Sequence, residues 1–310
     1  MLKNPMDVLE QYPVRKTKKQ KALFRNAVTD WLSRNGYVCR EEAGSLGARN
    51  LVIGNPEKAK FLITAHYDTC AGMLVPNLIT PCNVFFFILY QLVVTAVILL
   101  PAVLAGLAVG WLADSIFVGQ LAFVILIWVN IALLLCGPAN PRNANDNTSG
   151  VVTLLEIAGT LPENQRDKVC FVLFDLEELG VIGSASYRKA HKAQVQKQIV
   201  LNMDCVGDGN ELLLFPTGKL KKDPQKMALL RTCCGRFGEK RVSLFEKGLA
   251  VYPSDQSNFP YGVGICALRK GKLARYLSRI HTGRDTILEQ TNVNILRAAL
   301  TSLVSRSQLD

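Results

Sequence analysis

Apolar residues along the chain follow three different rhythms. Short runs of branched and aromatic residues recur at 60–66 (KFLITAH), 169–175 (VCFVLFD), 199–204 (IVLNMD) and 264–269 (GICALR). Each is bounded by polar or turn residues, which predicts buried strands. Between them, apolar positions at three- and four-residue spacing predict helices over 149–161, 185–198, 224–237 and 293–305. Strand alternating with helix in this way implies an α/β fold, a mixed and largely parallel sheet flanked by helices.

The third rhythm is no rhythm at all. From Thr69 to Ala113, and again from Ser115 to Pro141, the chain carries no charged residue, with Asp114 alone between the two stretches. Such runs fit membrane spans of roughly 20 residues, placed at 84–110 and 116–136, where Pro101 would kink or shorten the first. A hairpin buried in a soluble core is the other reading, but core helices seldom stay uncharged on every face. The expected organisation is one catalytic α/β domain made from 1–75 and 141–310, interrupted by an inserted helical hairpin at 76–140.

Charge then sets an orientation. The link WLADSIFVGQ holds no Lys or Arg, and the segments flanking the hairpin hold all 36. Positive-inside reasoning puts both flanks, and the catalytic domain, on the cytoplasmic side of an integral membrane protein, with the bilayer contacting residues 84–136. The net charge of +11 suits anionic lipid, and no motif supports nucleic-acid binding. Arg15, Lys16, Lys18, Lys19, Lys21 and Arg25 accompany a helical apolar pattern of Leu23, Ala27, Val28 and Trp31. That helix would lie against headgroups, or it would cover the domain with its basic face in water. The polar N-terminus lacks the apolar core of a secretory leader, and the nine scattered cysteines suit a reducing compartment.

Three predicted strands end on acidic or histidine residues: His66-Tyr67-Asp68, Asp175-Leu176-Glu177-Glu178 and Asp204. Ligands of open α/β sheets gather at the carboxyl ends of strands. Asp146 joins them from the polar turn NDNTSG, and His281 from RIHTGRDT, whereas His191 lies in a polar helix and is expected to be exposed and without a role. Carboxylates crowded at a buried rim repel one another unless one or two divalent cations are present. Imidazole and carboxylate without thiolate suit catalytic zinc. Asp68 is placed to orient His66. Adjacent Glu177 and Glu178 point different ways from a strand end, so that one would bind metal and the other address its water.

The series AHYDT, NDNTSG, FDLEELGVIGSASY, NMDCVGDG and IHTGRDT resembles the di-zinc aminopeptidases of the bacterial leucyl aminopeptidase and aminopeptidase Y family (clan MH metallopeptidases), outside the hairpin and roughly the first 40 residues. The resemblance implies that His66, Asp146 and Asp204 hold one zinc. Asp146, Glu178 and His281 would hold the second, with Asp146 bridging and a cis peptide after it. It further implies that Glu177 is the general base for a di-zinc-bound hydroxide, that Asp68 steadies His66, and that N-terminal residues are released from a peptide or small amide. Gln256, in SDQSNF, stands where many relatives have histidine, which puts substrate contacts in question. Competing expectations are a one-zinc glutaminyl-cyclase-like acyltransferase, against which Ile280 replaces the usual tryptophan, and a non-catalytic membrane-tethered module. If the hairpin inserts between two active-site motifs, the site opens near the membrane.

Overall fold

A computed structural model describes residues 1–73 and 77–307. Its strands are β1 (Cys39–Ala43), β2 (Arg49–Ile53), β3 (Phe61–His66), β4 (Val169–Phe174), β5 (Ile199–Met203), β6 (Glu211–Pro216), β7 (Gly235–Phe237), β8 (Lys240–Leu244), β9 (Gly262–Lys270) and β10 (Arg275–Tyr276). The helices are α1 (Asp7–Gln11), α2 (Lys18–Arg34), α3 (Val84–Leu112), α4 (Ile116–Cys136), α5 (Gly150–Thr160), α6 (Ile182–Ala190), α7 (Lys192–Val195), α8 (Gly218–Lys221), α9 (Pro224–Arg231) and α10 (Gln290–Arg306). The sheet runs β1-β2-β4-β3-β5-β9-β6-β8-β7, with β10 paired to β9. At its centre β4, β3, β5 and β9 are parallel, and these are the four strands expected from the sequence.

Their alternation explains why each reads as an unbroken apolar run. Phe61, Ile63 and Ala65 of β3 and Val169, Phe171 and Leu173 of β4 face one core, with Leu154 of α5, Leu300 of α10 and Phe24 of α2. Leu62, Cys170, Val172 and Phe174 face the other, with Tyr187 and Phe259. Successive side chains of a strand point to opposite faces, so a strand covered on both sides needs apolar residues throughout. Helix α2 buries Phe24, Val28, Trp31 and Leu32 against this sheet, together with Lys21 and Arg25 of its basic set, so it covers the domain, while Leu23 of the expected apolar stripe stays exposed.

Two expected helices are corrected. The one over 185–198 is two helices that break at His191. His191 is half-buried, stacks on Tyr187 with ring centroids 4.2 Å apart and places Nε2 2.8 Å from a Glu42 carboxylate oxygen. The one over 224–237 stops at Arg231, and its last expected residues form β7, which folds back on β8 where Gly238 turns the chain at φ +63°.

Helices α3 and α4 are long and apolar enough to cross a membrane, and little of either is buried. Helix α3 continues through Pro101. The pair packs closely where Gly119 opposes Gly106 and Gly110: a Cβ on Gly119 would lie 2.7 Å from the Gly106 carbonyl oxygen and 2.9 Å from Gly110 Cα. Small residues at such a crossing let backbones approach. Of the expected insert boundaries, 75–76 lies outside the described residues, and 140–141 falls just past the end of α4.

Candidate metal centre

The sheet register brings the acidic motifs level. His66, the last residue of β3, pairs with Phe174 of β4, so the segment Asp175 to Glu178 leaves the sheet beside it. Thr64 pairs with Asn202 of β5, which puts Asp204 at the same rim. Asp146 arrives from the turn before α5, and the Asp146–Asn147 peptide is cis. The Asn147 side chain donates to Met203 O at 2.9 Å and accepts from Gly150 N at 3.0 Å. Only glycine fits at position 150, since a Cβ there would collide with the Met203 carbonyl and the Asn147 amide.

Two donor groups share Asp146. His66 Nε2 lies 3.3 Å from Asp146 Oδ1 and 3.7 Å from Asp204 Oδ1. His281 Nε2 lies 2.9 Å from Asp146 Oδ2 and 3.4 Å from Glu178 Oε2. The donor atoms of His66, Asp146 and Asp204 fall within 4.8 Å of one another, as do those of His66, Glu177 and Glu178. Asp68 meets His66 Nδ1 through its main-chain oxygen, at 3.2 Å, while its Oδ1 stands 3.6 Å away, too long for a hydrogen bond. The Asp68 carboxylate instead accepts from Glu177 N at 3.1 Å and Glu178 N at 3.2 Å. It thereby fixes the backbone that carries both glutamates.

The electrostatics of this cluster test whether it fits a cation. Burial opposes charge on His66, but Glu177 and the oxygens of Asp146, Asp204 and Asp68 outweigh it and hold the imidazole pKa well above its usual value. His281 is likewise raised to about 9, burial being overcome chiefly by Glu178. Burial pushes Glu178 up to about 8 and Glu177 well above the carboxylate range. Asp146 is lowered, because its bonds to His281 and His66 outweigh burial. Glu178 Oε1 is buried without a hydrogen-bond partner. Without a cation the cluster must therefore gather protons to neutralise itself, and it still leaves one oxygen unsatisfied. Imidazole and carboxylate donors around such an oxygen fit zinc.

Several neighbours were not legible as site residues. Asp285 accepts from Asn145 N at 2.7 Å and Asp146 N at 3.0 Å, so it holds the turn that presents Asp146. Arg15 is fully buried, donates to Tyr67 O at 2.5 Å and to Thr148 Oγ1 at 3.1 Å, and is pulled down by burial to about 10. Asp255 is fully buried, with neither carboxylate oxygen hydrogen-bonded, and burial raises it to about 7. Cys70 Sγ groups with the donors of Glu178 and His281, a thiol that the expected ligand set did not include. Gln256 is buried: it donates to Tyr252 O at 2.7 Å and accepts from Asn202 at 3.1 Å, so its amide ties the Tyr252 loop to β5 and is not among the residues lining the cleft.

The cleft is a cavity of about 770 Å³ lined by Asp146, Glu177, Glu178, Asp204 and His281, and also by residues of α3 and α4. Both ends of the hairpin are stitched to the rim. Met73 N donates to His281 O at 2.7 Å, Asn140 N to Cys70 O at 3.2 Å, and Lys16 Nζ to Leu135 O at 3.0 Å.

Residues 128–303 match the model of peptidase family M28. Aminopeptidase YwaD of Bacillus subtilis (strain 168) is 38% identical over 73 residues, a stretch that spans 23% of this chain and only 16% of that relative. Among solved structures, the LapA aminopeptidase of Legionella pneumophila superposes with a TM-score of 0.58 at 16% identity, over 99% of this chain and 69% of that one. A Zn-dependent exopeptidase from Parabacteroides distasonis ATCC 8503 gives 0.60 at 14%, covering 96% and 94%. Porphyromonas gingivalis glutaminyl cyclase gives 0.60 at 14%, covering 95% and 93%. At such identities the likeness establishes a shared fold.

Proposed function

The chain belongs to peptidase family M28, and from that premise we propose that it is a membrane-anchored zinc aminopeptidase that releases N-terminal residues from a peptide or small amide. The observation that carries this reading is the convergence of two imidazoles and four carboxylates on one rim, with Asp146 between two histidines. His66, Asp146 and Asp204 would hold one zinc, and Asp146, Glu178 and His281 the other. When bound, zinc supplies Lewis acidity toward the scissile carbonyl and lowers the pKa of water toward neutrality.

The remaining work belongs to side chains of this protein. Glu177 takes the proton from the attacking water and returns it to the leaving nitrogen. Asp68 acts as a positioning residue, since its two oxygens anchor the amides of Glu177 and Glu178. Asp285 does the same for Asp146. The carboxylate-rich end of the cleft receives the substrate's free amine, which confines cleavage to the first residue. The hairpin, an insert between the Asp68 and Asp146 motifs, anchors the catalytic domain at the cytoplasmic face.

The test is mass spectrometry of a mixed peptide pool incubated with detergent-purified, zinc-loaded protein, with and without chelator. Chelator-sensitive loss of single N-terminal residues is expected. Ammonia loss from N-terminal Gln peptides alone would instead assign a glutaminyl-cyclase-like acyl transfer.

A further inference from the structure

The cavity that holds the metal-binding carboxylates does not stop at the sheet rim. The same space is walled by Phe87, Tyr90, Gln91 and Val94 of α3 and by Leu134 and Leu135 of α4. On α3 these four stand at i, i+3, i+4 and i+7, so they form one face of the helix. At 1.5 Å per residue, Phe87 to Val94 extends about 10 Å along the axis. Neighbouring side chains on both helices, such as Leu92, Val93 and Leu133, are exposed. The wall of the cleft thus runs directly into the apolar surface assigned above to the bilayer. Asp146, Glu177, Glu178, Asp204 and His281 line one end of the cleft, and no Lys or Arg is among the described lining residues. Away from the metal ligands, no cationic side chain among the described lining residues receives a carboxylate or a phosphate.

We infer that the substrate is a membrane-dissolved amphiphile, an unblocked aminoacyl amide whose leaving nitrogen carries a long uncharged alkyl tail. This rests on the hydrolase reading above and names its substrate class. The free amine meets the carboxylate end of the cavity, and the tail lies along the Phe87–Val94 face of α3 with Leu134 opposite. Hydrolysis then consumes one water. Its oxygen bonds to the acyl carbon, the C–N bond breaks, and the proton held by Glu177 passes to the leaving nitrogen. The products are a free amino acid and a long-chain amine that stays in the bilayer.

The experiment measures kcat/KM of zinc-loaded, full-length protein in phosphatidylcholine vesicles on leucine butyl-, octyl- and dodecylamide and on a polar leucine-headed pentapeptide, each with a chelator control. We expect a rise of about tenfold or more from butyl to dodecyl, the effect of burying as few as two further methylenes, with the polar pentapeptide no better than the butylamide. Val94→Trp and, separately, Leu134→Trp fill the tail path and should flatten that dependence. A flat series, a preference for the pentapeptide, or a rise that both variants leave intact (which would reflect partitioning into lipid alone) overturns the inference while leaving the hydrolase standing. No chelator-sensitive cleavage of any compound overturns the hydrolase reading, and the inference with it.

Discussion

Glu178 is the residue in which the demand for a cation is plainest, with one buried oxygen unsatisfied and the other 3.4 Å from His281. In the metal-free protein Glu178 titrates near 8 and His281 near 9. At pH 7 both therefore hold protons that zinc must displace, and zinc affinity should strengthen as pH rises through that range. Calorimetry in two buffers of different ionisation heat is expected to record net proton release at pH 7; none would remove this account of the cluster. Asp255 gives a stability test. Its folded pKa, about 7, exceeds the 3.8 of an unhindered carboxyl, so stability present below about 4 is lost as pH climbs toward 7. Asp255→Asn should raise the melting temperature of the metal-free protein, and by more at pH 8 than at pH 5. His66, Glu177, Glu178 and Asp204 were legible as candidates because each ends or closely follows an apolar strand. Asp285, Asp255 and Arg15 were not, because their partners lie far away in sequence and only the register of the fold brings them near.

At the scale of elements, the four central parallel strands could be read from sequence because burial on both faces leaves an unmistakable apolar run. The edge strands could not: β1 is Cys-Arg-Glu-Glu-Ala and half exposed, and β10 has two residues. Helix α2 was legible as amphipathic, but which surface it met depended on Lys21, whose Nζ lies 2.7 Å from Asp175 Oδ1 in a nearly dry pair. Lys21→Met leaves that carboxylate buried with only the Arg49 and Leu176 amides. It should cost about 3 kcal/mol in denaturant unfolding of the catalytic domain; a loss near zero would show that the pair does not fasten α2. Within the hairpin, Gly119→Leu should separate α3 from α4, because its Cβ has no room beside Gly106 and Gly110. The expected result is loss of a disulfide engineered across that crossing, with zinc binding retained. Efficient crosslinking would contradict the close approach.

For the whole molecule, the two long apolar helices and their place between the Asp68 and Asp146 motifs could be read from the sequence, because a charge-free run needs no tertiary context to be seen. What it could not carry was the merging of the hairpin's base with the catalytic cleft, which arises from backbone contacts such as Met73 to His281 and Gly72 to Pro138. Orientation is testable directly. Asp114→Cys, between the spans, should react with a membrane-impermeant maleimide from outside, and exposed Cys234 only after permeabilisation. The reverse pattern would place the catalytic domain on the other side.

The central claim is hydrolysis at this rim with Glu177 as proton carrier. It is tested most directly by the rate of free amino acid release from an unblocked leucyl amide by zinc-loaded wild type and Glu177→Gln at matched metal content. The account predicts chelator-sensitive release by the wild type and a fall in kcat of about 10²–10⁴-fold in the variant, with zinc occupancy unchanged. Equal rates in the two proteins, or release that survives removal of the metal, would contradict it.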